Sequence, residues 1–329
     1  MRVAIIGGGF GRRVVAPVFA QTDGCSVVDV VSARDEQAVR TLVARADVDL
    51  VSVHSPPFLH APHVRLALGA GKAVLCDKPF ALDADEAADL EAEARAAGVT
   101  ALCNFEFRYA PARGVLREMI AGGEIGRVEH VQLTRLSAGS RVPLRPWGWL
   151  FDRARGGGWI GAWGSHAVDS LRWMFGAEVT EVQALLRTDV RERPDADGDL
   201  HPCTAEDGFS AALVLSNGVS VAIDSGFAAV ANVAPRFTIF GANAVAELVG
   251  ETRITVRRAD DSRETIDLAD GETGDGHLAP MRRFAEVVRD AVGSGEVVAG
   301  TPTFSDGRAC DAVLDQLRAA PFAPATVDP

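Results

Sequence analysis

The chain has 329 residues, a length that favours two domains over a single hydrophobic core. Its formal net charge of −12, with acidic and basic residues interspersed, argues against a surface for nucleic acid or anionic membrane. The opening MRVAIIGGGF is too short an apolar run for a signal peptide, and no later run reaches the ~18 residues of a membrane helix.

The first hundred residues alternate short apolar runs with amphipathic segments. Strands are predicted at 3–6, 26–31, 49–55, 72–76 and 99–105, with helices between them. Apolar strands of this kind are typical of a parallel sheet covered by helices on both faces, which indicates a Rossmann-type α/β domain. Only one helix fits between the second and third strands, so one strand–helix unit is predicted to be missing at the sheet edge.

The pattern changes after about residue 104. The predicted elements are helix 112–121, strand 127–136, a Gly/Arg/Pro/Trp-rich loop at 137–158, helix 162–175, and strands from 209 onward. Asn217-Gly218 between two apolar runs is a strong hairpin signal. These features predict an α+β domain with an open, mostly antiparallel sheet. The predicted domains are 1–107 and 108–329, with late helices at 278–292 and 305–319 packing back toward the first domain.

A glycine-rich turn follows the first predicted strand. Gly7, Gly9 and Gly11 stand between that strand and a helix, where backbone N–H groups can meet a pyrophosphate. Arg12 occupies the position of the third glycine in G-x-G-x-x-G, so the fingerprint is not strict. The position favours a dinucleotide, and the alternative is a plain turn.

The end of the second predicted strand bears on which dinucleotide binds. NAD sites carry an acid at this point for the ribose hydroxyls, whereas this chain has Ser32 and Ala33 followed by Arg34. A small polar residue before an arginine suits a 2′-phosphate, which predicts NADP(H), with NAD(H) as the second choice. In the alternative interpretation, Arg34 is a solvated residue and Asp35 caps the next helix.

Lys78 is one of only two lysines in a chain that has 31 arginines. It follows a buried strand at the edge where parallel sheets bind ligands. An amine can stabilise a developing oxyanion and can also exchange a proton, because its pKa falls readily on desolvation, whereas arginine stays protonated. The alternative is a salt bridge from Lys78 to Asp77 or to a helix end.

The segment VDLVSVHSPPFLHAPHVRLALGAGKAVLCDKPFAL resembles the Gfo/Idh/MocA family of oxidoreductases. The matching positions of the family pattern are Pro56, Pro57, His60, Gly71, Lys72, Val74, Lys78 and Pro79. Asp77 replaces the glutamate of the family's Glu-Lys-Pro motif. Later segments around FRYAP, GGGWIGAWGSHAVDSLRWMFG and FSDGRACDAVLDQL extend the resemblance over nearly the whole chain.

The resemblance implies a nucleotide-binding domain, a sheet domain used for oligomerisation, and oxidation or reduction of sugars, polyols or similar secondary alcohols. It places Lys78 between substrate and nicotinamide. It also implies that His166 is the acid/base residue, on a helix that carries Asp169 three residues later. The predicted catalytic residues are Lys78, His166 and Asp169, and the predicted substrate contacts are Lys78, Tyr109, Trp163 and His166. The predicted cofactor contacts are Gly7, Gly9, Phe10, Gly11, Arg12, Ser32, Arg34, Ser55, Pro56, His60, Asp77, Lys78 and Asn104.

One position departs from the pattern of many sugar and inositol members. They carry an aspartate four residues before the histidine, where this chain has Ala162. Either Lys78 and His166 share the chemistry, or a group such as Asp152 or Arg155 enters from the preceding loop. Trp159 and Trp163 either narrow the site or pack in the core.

The sequence therefore predicts an NAD(P)-dependent oxidoreductase that acts on a sugar, cyclitol or similar alcohol/carbonyl pair. Two alternatives stay open, a redox-assisted glycoside hydrolase that uses tightly held NAD and a non-catalytic nucleotide sensor. No metal is predicted, because His54, His60 and His63 have no carboxylate or thiol in their spacing. The expected partners are a carbohydrate-like small molecule and further copies of the chain, as a dimer or tetramer through the second-domain sheet. Five cysteines without C-x-x-C spacing predict reduced thiols and a cytoplasmic location.

Overall fold

The computed structural model describes residues 1–268 and 275–319, which divide into two compact units. The described part of the first unit is 1–111 together with 275–312, and that of the second is 112–268 together with 313–319. The domain boundary placed between residues 107 and 108 stays a prediction.

The described ranges contain α-helices, numbered here in chain order, and π-helical turns. The helices are α1 (Ala16–Gln21), α2 (Glu36–Val43), α3 (His60–Gly69), α4 (Ala84–Ala97), α5 (Pro111–Ala121), α6 (Ser165–Phe175), α7 (Leu278–Ser294) and α8 (Phe304–Ala319). A π-helical turn precedes α1 at Gly11–Val15 and another precedes α6 at Ile160–Gly164. None of the helices in these ranges combines the length and apolar character of a membrane span.

The first unit contains a sheet of five parallel strands in the order β2-β1-β3-β4-β5. The strands are β1 (Arg2–Ile6), β2 (Ser26–Val31), β3 (Leu50–Val53), β4 (Ala73–Cys76) and β5 (Ala101–Cys103). A doubly wound sheet of this type has a further strand outside β2, but here the chain returns through α2 directly to β3 on the other side of β1. The predicted Rossmann-type sheet and its missing strand–helix unit are confirmed.

Local chemistry explains where the helices of this unit begin and end. The Asp83 carboxylate accepts the Glu86 N–H at 2.8 Å at the start of α4, and Glu86 accepts the Leu82 N–H at 3.0 Å. Gly98 ends the helix with a φ of 66°, a conformation that glycine adopts without steric cost. Both ends of α4 are therefore capped.

Helix α7 packs into the core of the first unit although it is distant in sequence. Its buried face includes Phe284 and Val288, which lie in one apolar cluster with Val3 and Ile5 of β1. The Tyr109 ring stacks on Phe284 with a centroid distance of 4.8 Å and an interplanar angle of 15°. Helix α7 therefore covers part of one face of the parallel sheet.

The second unit contains an eight-stranded sheet in the order β15-β14-β13-β12-β6-β11-β10-β7. The strands of this unit are β6 (Val128–Leu136), β7 (Val179–Arg187), β8 (Glu192–Pro194), β9 (Leu200–Pro202), β10 (Gly208–Leu215), β11 (Ser220–Gly226), β12 (Arg236–Gly241), β13 (Ala244–Val249), β14 (Arg253–Arg258) and β15 (Arg263–Asp267). Neighbours are antiparallel except β6 and β11, and β8 with β9 forms a separate two-stranded sheet. The predicted α+β, mostly antiparallel sheet is confirmed.

The hairpin predicted at Asn217-Gly218 joins β10 to β11, and Gly218 has a φ of 84°. Three strands were not predicted, namely β7, β8 and β9. β7 is an edge strand with several polar residues, and β8 and β9 are three residues each and contain Pro194 and Pro202. Strands with weak apolar alternation or with prolines cannot be predicted from the periodicity of the sequence.

Gly307 allows α8 to approach the segment that follows Lys78. A Cβ added at Gly307 would lie 2.8–2.9 Å from Phe80, a fully buried side chain whose ring contacts Phe304. We expect Gly307→Ala to lower the free energy of unfolding by about 1–3 kcal/mol through overpacking. Gly293→Ala in α7 is the matched control, because its Cβ would meet nothing within 4 Å and should stabilise the helix by about 0.5–1 kcal/mol. Urea unfolding of both variants tests this, and equal stabilities would contradict the packing described.

Candidate functional site

Polar and glycine residues follow the five parallel strands at one edge of the first sheet. In strand order they are Gly7, Ser32, His54, Asp77 and Asn104. Because parallel strands end at the same edge, these residues are brought together from distant parts of the chain.

Backbone hydrogen bonds continue the sheet by one residue and hold this edge in place. Gly7 N–H donates to the Val31 carbonyl at 2.9 Å and His54 N–H to the Ile6 carbonyl at 2.7 Å. Asp77 N–H donates to Val53 at 2.9 Å, and Asn104 N–H donates to Cys76 at 2.7 Å. Each donor is the first residue after its strand, so the side chains start from fixed positions.

The glycine turn after β1 is a close-packed cradle. Gly7 has a φ of 139°, and a Cβ there would overlap the His54 carbonyl. A Cβ at Gly11 would lie 2.9 Å from Ile5 and 3.2 Å from the His54 Cβ, whereas one at Gly9 would meet nothing within 4 Å. Arg13 N–H donates to the Gly9 carbonyl at 3.0 Å, so the N–H groups just before Arg13 lie at the start of the helix. This arrangement fits the pyrophosphate of a dinucleotide.

Asp77 is the centre of a hydrogen-bond network at the carboxyl ends of β3, β4 and β5. Its Oδ2 contacts His54 Nδ1 at 3.1 Å, and its Oδ1 accepts Asn104 Nδ2 at 3.2 Å and the Lys78 N–H at 3.0 Å. Burial alone raises the pKa of Asp77, but the hydrogen bond and charge of His54 and the charge of Lys78 outweigh it and lower that pKa. Asp77 is therefore a carboxylate, and Lys78 beside it is half-buried.

His60 and His63 brace the loop after β3. His60 Nε2 lies 2.8 Å from the Ser55 carbonyl and its Nδ1 lies 3.2 Å from the Phe80 carbonyl, while His63 Nδ1 lies 3.1 Å from Ser55 Oγ. Burial lowers the pKa of His60, and it lowers the pKa of His63 to about 4. His60 thus links the Ser55-Pro56 loop to the segment after Lys78, and its contact with a cofactor stays a prediction. Across 1–268 and 275–319, no group of three or more His, Cys, Asp or Glu could hold a metal ion.

The end of β2 offers exposed polar and basic side chains. Ser32 and Arg34 are exposed, and Ser32 Oγ accepts the Arg34 N–H at 3.3 Å. Arg12 donates to the Val30 carbonyl at 2.8 Å, which holds this arginine against β2. Asp35 caps α2 by accepting the Ala38 N–H at 3.0 Å, as the alternative interpretation of this stretch required. The cap leaves the side chain of Arg34 exposed beside Ser32.

Phe10 lies between two imidazole rings, an arrangement that the sequence did not predict. Its centroid is 5.7 Å from His54 and 5.3 Å from His277, which meets it edge-on. His277 Nδ1 lies 2.5 Å from Glu106 Oε1, and its ring stacks on Phe107 at 5.1 Å. The start of α7 thus supports the glycine turn, together with the Arg13–Asp275 ion pair at 3.3 Å.

His166 and Asp169 lie on α6 in the second unit. Each is 2% exposed, and they are three residues apart, which places them on neighbouring positions of one helical face. The π-helical turn before α6 begins where Glu206 accepts the Ile160 N–H at 3.1 Å. Such turns are frequent at functional sites. The roles of His166 and Asp169 stay predictions.

Ala162 belongs to an aromatic cluster. It packs, with the half-buried Trp149 and Trp159, against Phe151 and Phe227. The Trp159 ring stacks on Phe227 with centroids 4.4 Å apart and lies nearly parallel to Trp163 at 6.3 Å, and Trp163 is itself 6% exposed. An apolar surface therefore surrounds the position at which many sugar-acting members carry a carboxylate.

The loop candidates have ordinary local roles. Asp152 caps a short helical turn by accepting the Ala154 N–H at 3.1 Å, and it accepts Thr204 Oγ1 at 3.4 Å. Arg155 is half-buried on the same turn. Their contribution to a site stays a prediction.

Comparison with known proteins agrees with this geometry. Residues 1–105 match the oxidoreductase family described by its NAD-binding Rossmann fold, and residues 115–247 match the GFO/IDH/MocA C-terminal domain. The chain is 33% identical over 241 residues to an uncharacterized oxidoreductase of Synechocystis, covering 68% of this chain and 65% of that protein. It is 30% identical over 156 residues to levoglucosan dehydrogenase of Pseudarthrobacter phenanthrenivorans, covering 47% of this chain and 40% of that protein.

A solved structure of levoglucosan dehydrogenase in complex with NADH and L-sorbose has the same fold. The TM-score is 0.86 at 22% identity, and the match covers 97% of this chain and 96% of that chain. The chain spans about two thirds or less of the length of the two curated relatives. The two family matches together take in more than half of the chain, and it belongs to the GFO/IDH/MocA family of oxidoreductases.

Proposed function

We propose that the protein is an NAD(P)-dependent oxidoreductase that interconverts a secondary alcohol and a carbonyl on a carbohydrate-like substrate. The observation that carries the proposal is the carboxyl edge of the first sheet, where a glycine cradle and a lysine beside a half-buried carboxylate occur together. The family matches and the sugar-acting relative support the same reaction class.

The cradle assigns the cofactor contacts. Gly7, Gly9 and Gly11 would hold the pyrophosphate at the start of the helix, with Ser32 and Arg34 beside the adenosine ribose. A bound nicotinamide supplies the hydride acceptor or donor. Because Ser32 and Arg34 are exposed and no acid stands at this point, we infer a preference for the 2′-phosphate of NADP(H).

We propose that Lys78 and His166 carry out charge stabilisation and proton transfer. The Lys78 amine would stabilise negative charge on the reacting oxygen, and Asp77 fixes the backbone from which this side chain extends. His166 would exchange the hydroxyl proton, since an imidazole titrates near neutral pH. Asp169, three residues on, would orient His166 in place of the carboxylate that Ala162 lacks.

A relative and the surroundings of Ala162 both support a carbohydrate-like substrate. The relative levoglucosan dehydrogenase acts on a sugar. The half-buried indole of Trp149 is a side chain of the kind that packs against the C–H face of a sugar ring. We infer a ring-shaped substrate, with Tyr109 and Trp163 as further candidate contacts.

Assembly and location extend the proposal. Strands β10, β11, β6 and β12 alternate buried with partly exposed residues, so one face of the second sheet is less covered than the other. We propose that copies of the chain pair through this face. We also propose a cytoplasmic location, where cysteines are kept as thiols, the form of all five in this structure.

Replacement of Lys78 tests the proposed chemistry. We expect Lys78→Ala to lower kcat on the order of 100-fold or more, because the reacting oxygen loses its charge stabilisation and a proton-transfer partner. Lys78→Arg keeps the charge, but a guanidinium stays protonated and cannot act as a proton acceptor, so this variant should also be impaired. The assay follows NADPH absorbance with a panel of sugars, anhydro sugars and cyclitols, and fluorescence titration measures cofactor Kd separately.

The other lysine of the chain is the matched control. Lys72 Nζ donates to the Arg45 and Val48 carbonyls, both at 2.9 Å, so Lys72→Ala should lower stability and keep kcat within about threefold. Unchanged turnover in Lys78→Ala would contradict the proposal. Cofactor binding without turnover on any alcohol would favour a sensor, and turnover with retained cofactor and no net reduced nicotinamide would favour a glycoside hydrolase.

Cofactor preference has its own test at the end of β2. Ser32→Asp places a carboxylate beside the 2′-phosphate, and we expect the ratio of kcat/KM for NADP to that for NAD to fall on the order of 100-fold. Arg34→Ala should weaken NADP binding about tenfold and leave NAD binding nearly unaltered. Arg65→Ala is the control, since Arg65 pairs with Glu93 at 2.9 Å, away from this edge. A parent protein that already prefers NAD, or a Ser32→Asp variant with an unaltered ratio, would overturn the assignment.

A further inference from the structure

His54 connects the glycine cradle to the Asp77 network. Its side chain is completely buried and follows β3 directly. Gly7 and Gly11 both pack so closely against His54 that a Cβ on either glycine would crowd it. The Phe10 ring lies 5.7 Å from the His54 imidazole. On the other side, His54 Nδ1 reaches Asp77 Oδ2 at 3.1 Å. One side chain thus contacts both parts of the candidate site in the first unit.

The hydrogen bonds of His54 place a proton on its Nδ1. A carboxylate only accepts, so the 3.1 Å contact with Asp77 requires a proton on His54 Nδ1. His54 Nε2 lies 2.7 Å from Ser52 Oγ, a hydroxyl that donates to a neutral imidazole and accepts from a charged one. Both ring nitrogens are therefore satisfied with the proton on Nδ1, which a fully buried imidazole needs.

The donor from His54 completes the coordination of Asp77. With His54 on Oδ2 and with Asn104 and the Lys78 N–H on Oδ1, both carboxylate oxygens are held. A carboxylate held at both oxygens has one orientation, and Lys78 is the next residue along the chain. The direction in which the Lys78 side chain leaves the backbone therefore depends on these hydrogen bonds.

Asp77 and Lys78 are consecutive residues, and His54 contacts the first of them from the adjacent strand. We propose that His54 is a positioning residue that orients Asp77, and through it Lys78, and that packs against the glycine cradle. The part that concerns Lys78 rests on the function proposed above.

Two substitutions of similar size separate positioning from packing. In His54→Asn the amide nitrogen takes the place of Nδ1 and keeps a donor for Asp77, whereas His54→Leu fills the space without a donor. We expect His54→Leu to lower kcat about 10- to 100-fold with cofactor Kd within about threefold, because a displaced reacting group slows the reaction. His54→Asn should recover most of that loss. Equal kcat values for both variants, whether high or low, would overturn the proposal.

The hydrogen bond is also testable without turnover. Long-range proton–nitrogen NMR of the apo protein with labelled histidine should show an Nδ1-bound proton for the signal that His54→Leu removes. A signal from the Nε2-protonated tautomer would overturn the proposal. If Lys78→Ala proves fully active, the proposed function fails, while this spectrum still decides whether His54 holds Asp77.

Discussion

The five parallel strands of the first sheet end at one edge, and the candidate site depends on this constraint. Gly7, His54, Asp77 and Asn104 are each the first residue after a strand, and each donates its backbone N–H to the last carbonyl of the neighbouring strand. These backbone hydrogen bonds fix the positions of the four residues independently of their side-chain contacts. A cradle and a buried polar network are therefore built on rigid elements, which is what precise positioning of a cofactor and a reacting amine requires.

The half-buried carboxylate of Asp77 is the costly part of this arrangement, because its side chain is only 16% exposed. Removing such a charge from water costs several kcal/mol unless hydrogen bonds replace its hydration. His54, Asn104 and the Lys78 N–H supply those bonds, and the pKa of Asp77 is lowered despite its burial. The second unit departs from the pattern of many sugar-acting members at Ala162, where an aromatic cluster replaces a carboxylate. Because position 162 has no carboxylate, the proton transfer that we propose uses Lys78 and His166.

Much of the fold could be predicted from the sequence, because local chemistry decides it. The glycine turn, the Asp83 cap, the Gly98 end of α4 and the Asn217-Gly218 hairpin depend on neighbours within a few residues. The His54–Asp77 contact could not be predicted this way, since it joins residues 23 apart on adjacent strands. In the sequence, His54 stands out only as one of three closely spaced histidines. Its position directly after β3, at the edge where Asp77 follows β4, is the feature from which the contact could have been found.

The most direct measurement is a crystal structure of the protein grown with NADP(H) and a carbohydrate-like ligand. It should show the pyrophosphate against Gly7, Gly9 and Gly11, with Lys78 Nζ and the His166 ring both within hydrogen-bond reach of the oxygen that reacts beside the nicotinamide. A dinucleotide bound elsewhere, or these two nitrogens directed away from the reactive carbon of the nicotinamide, would contradict the proposed oxidoreductase chemistry.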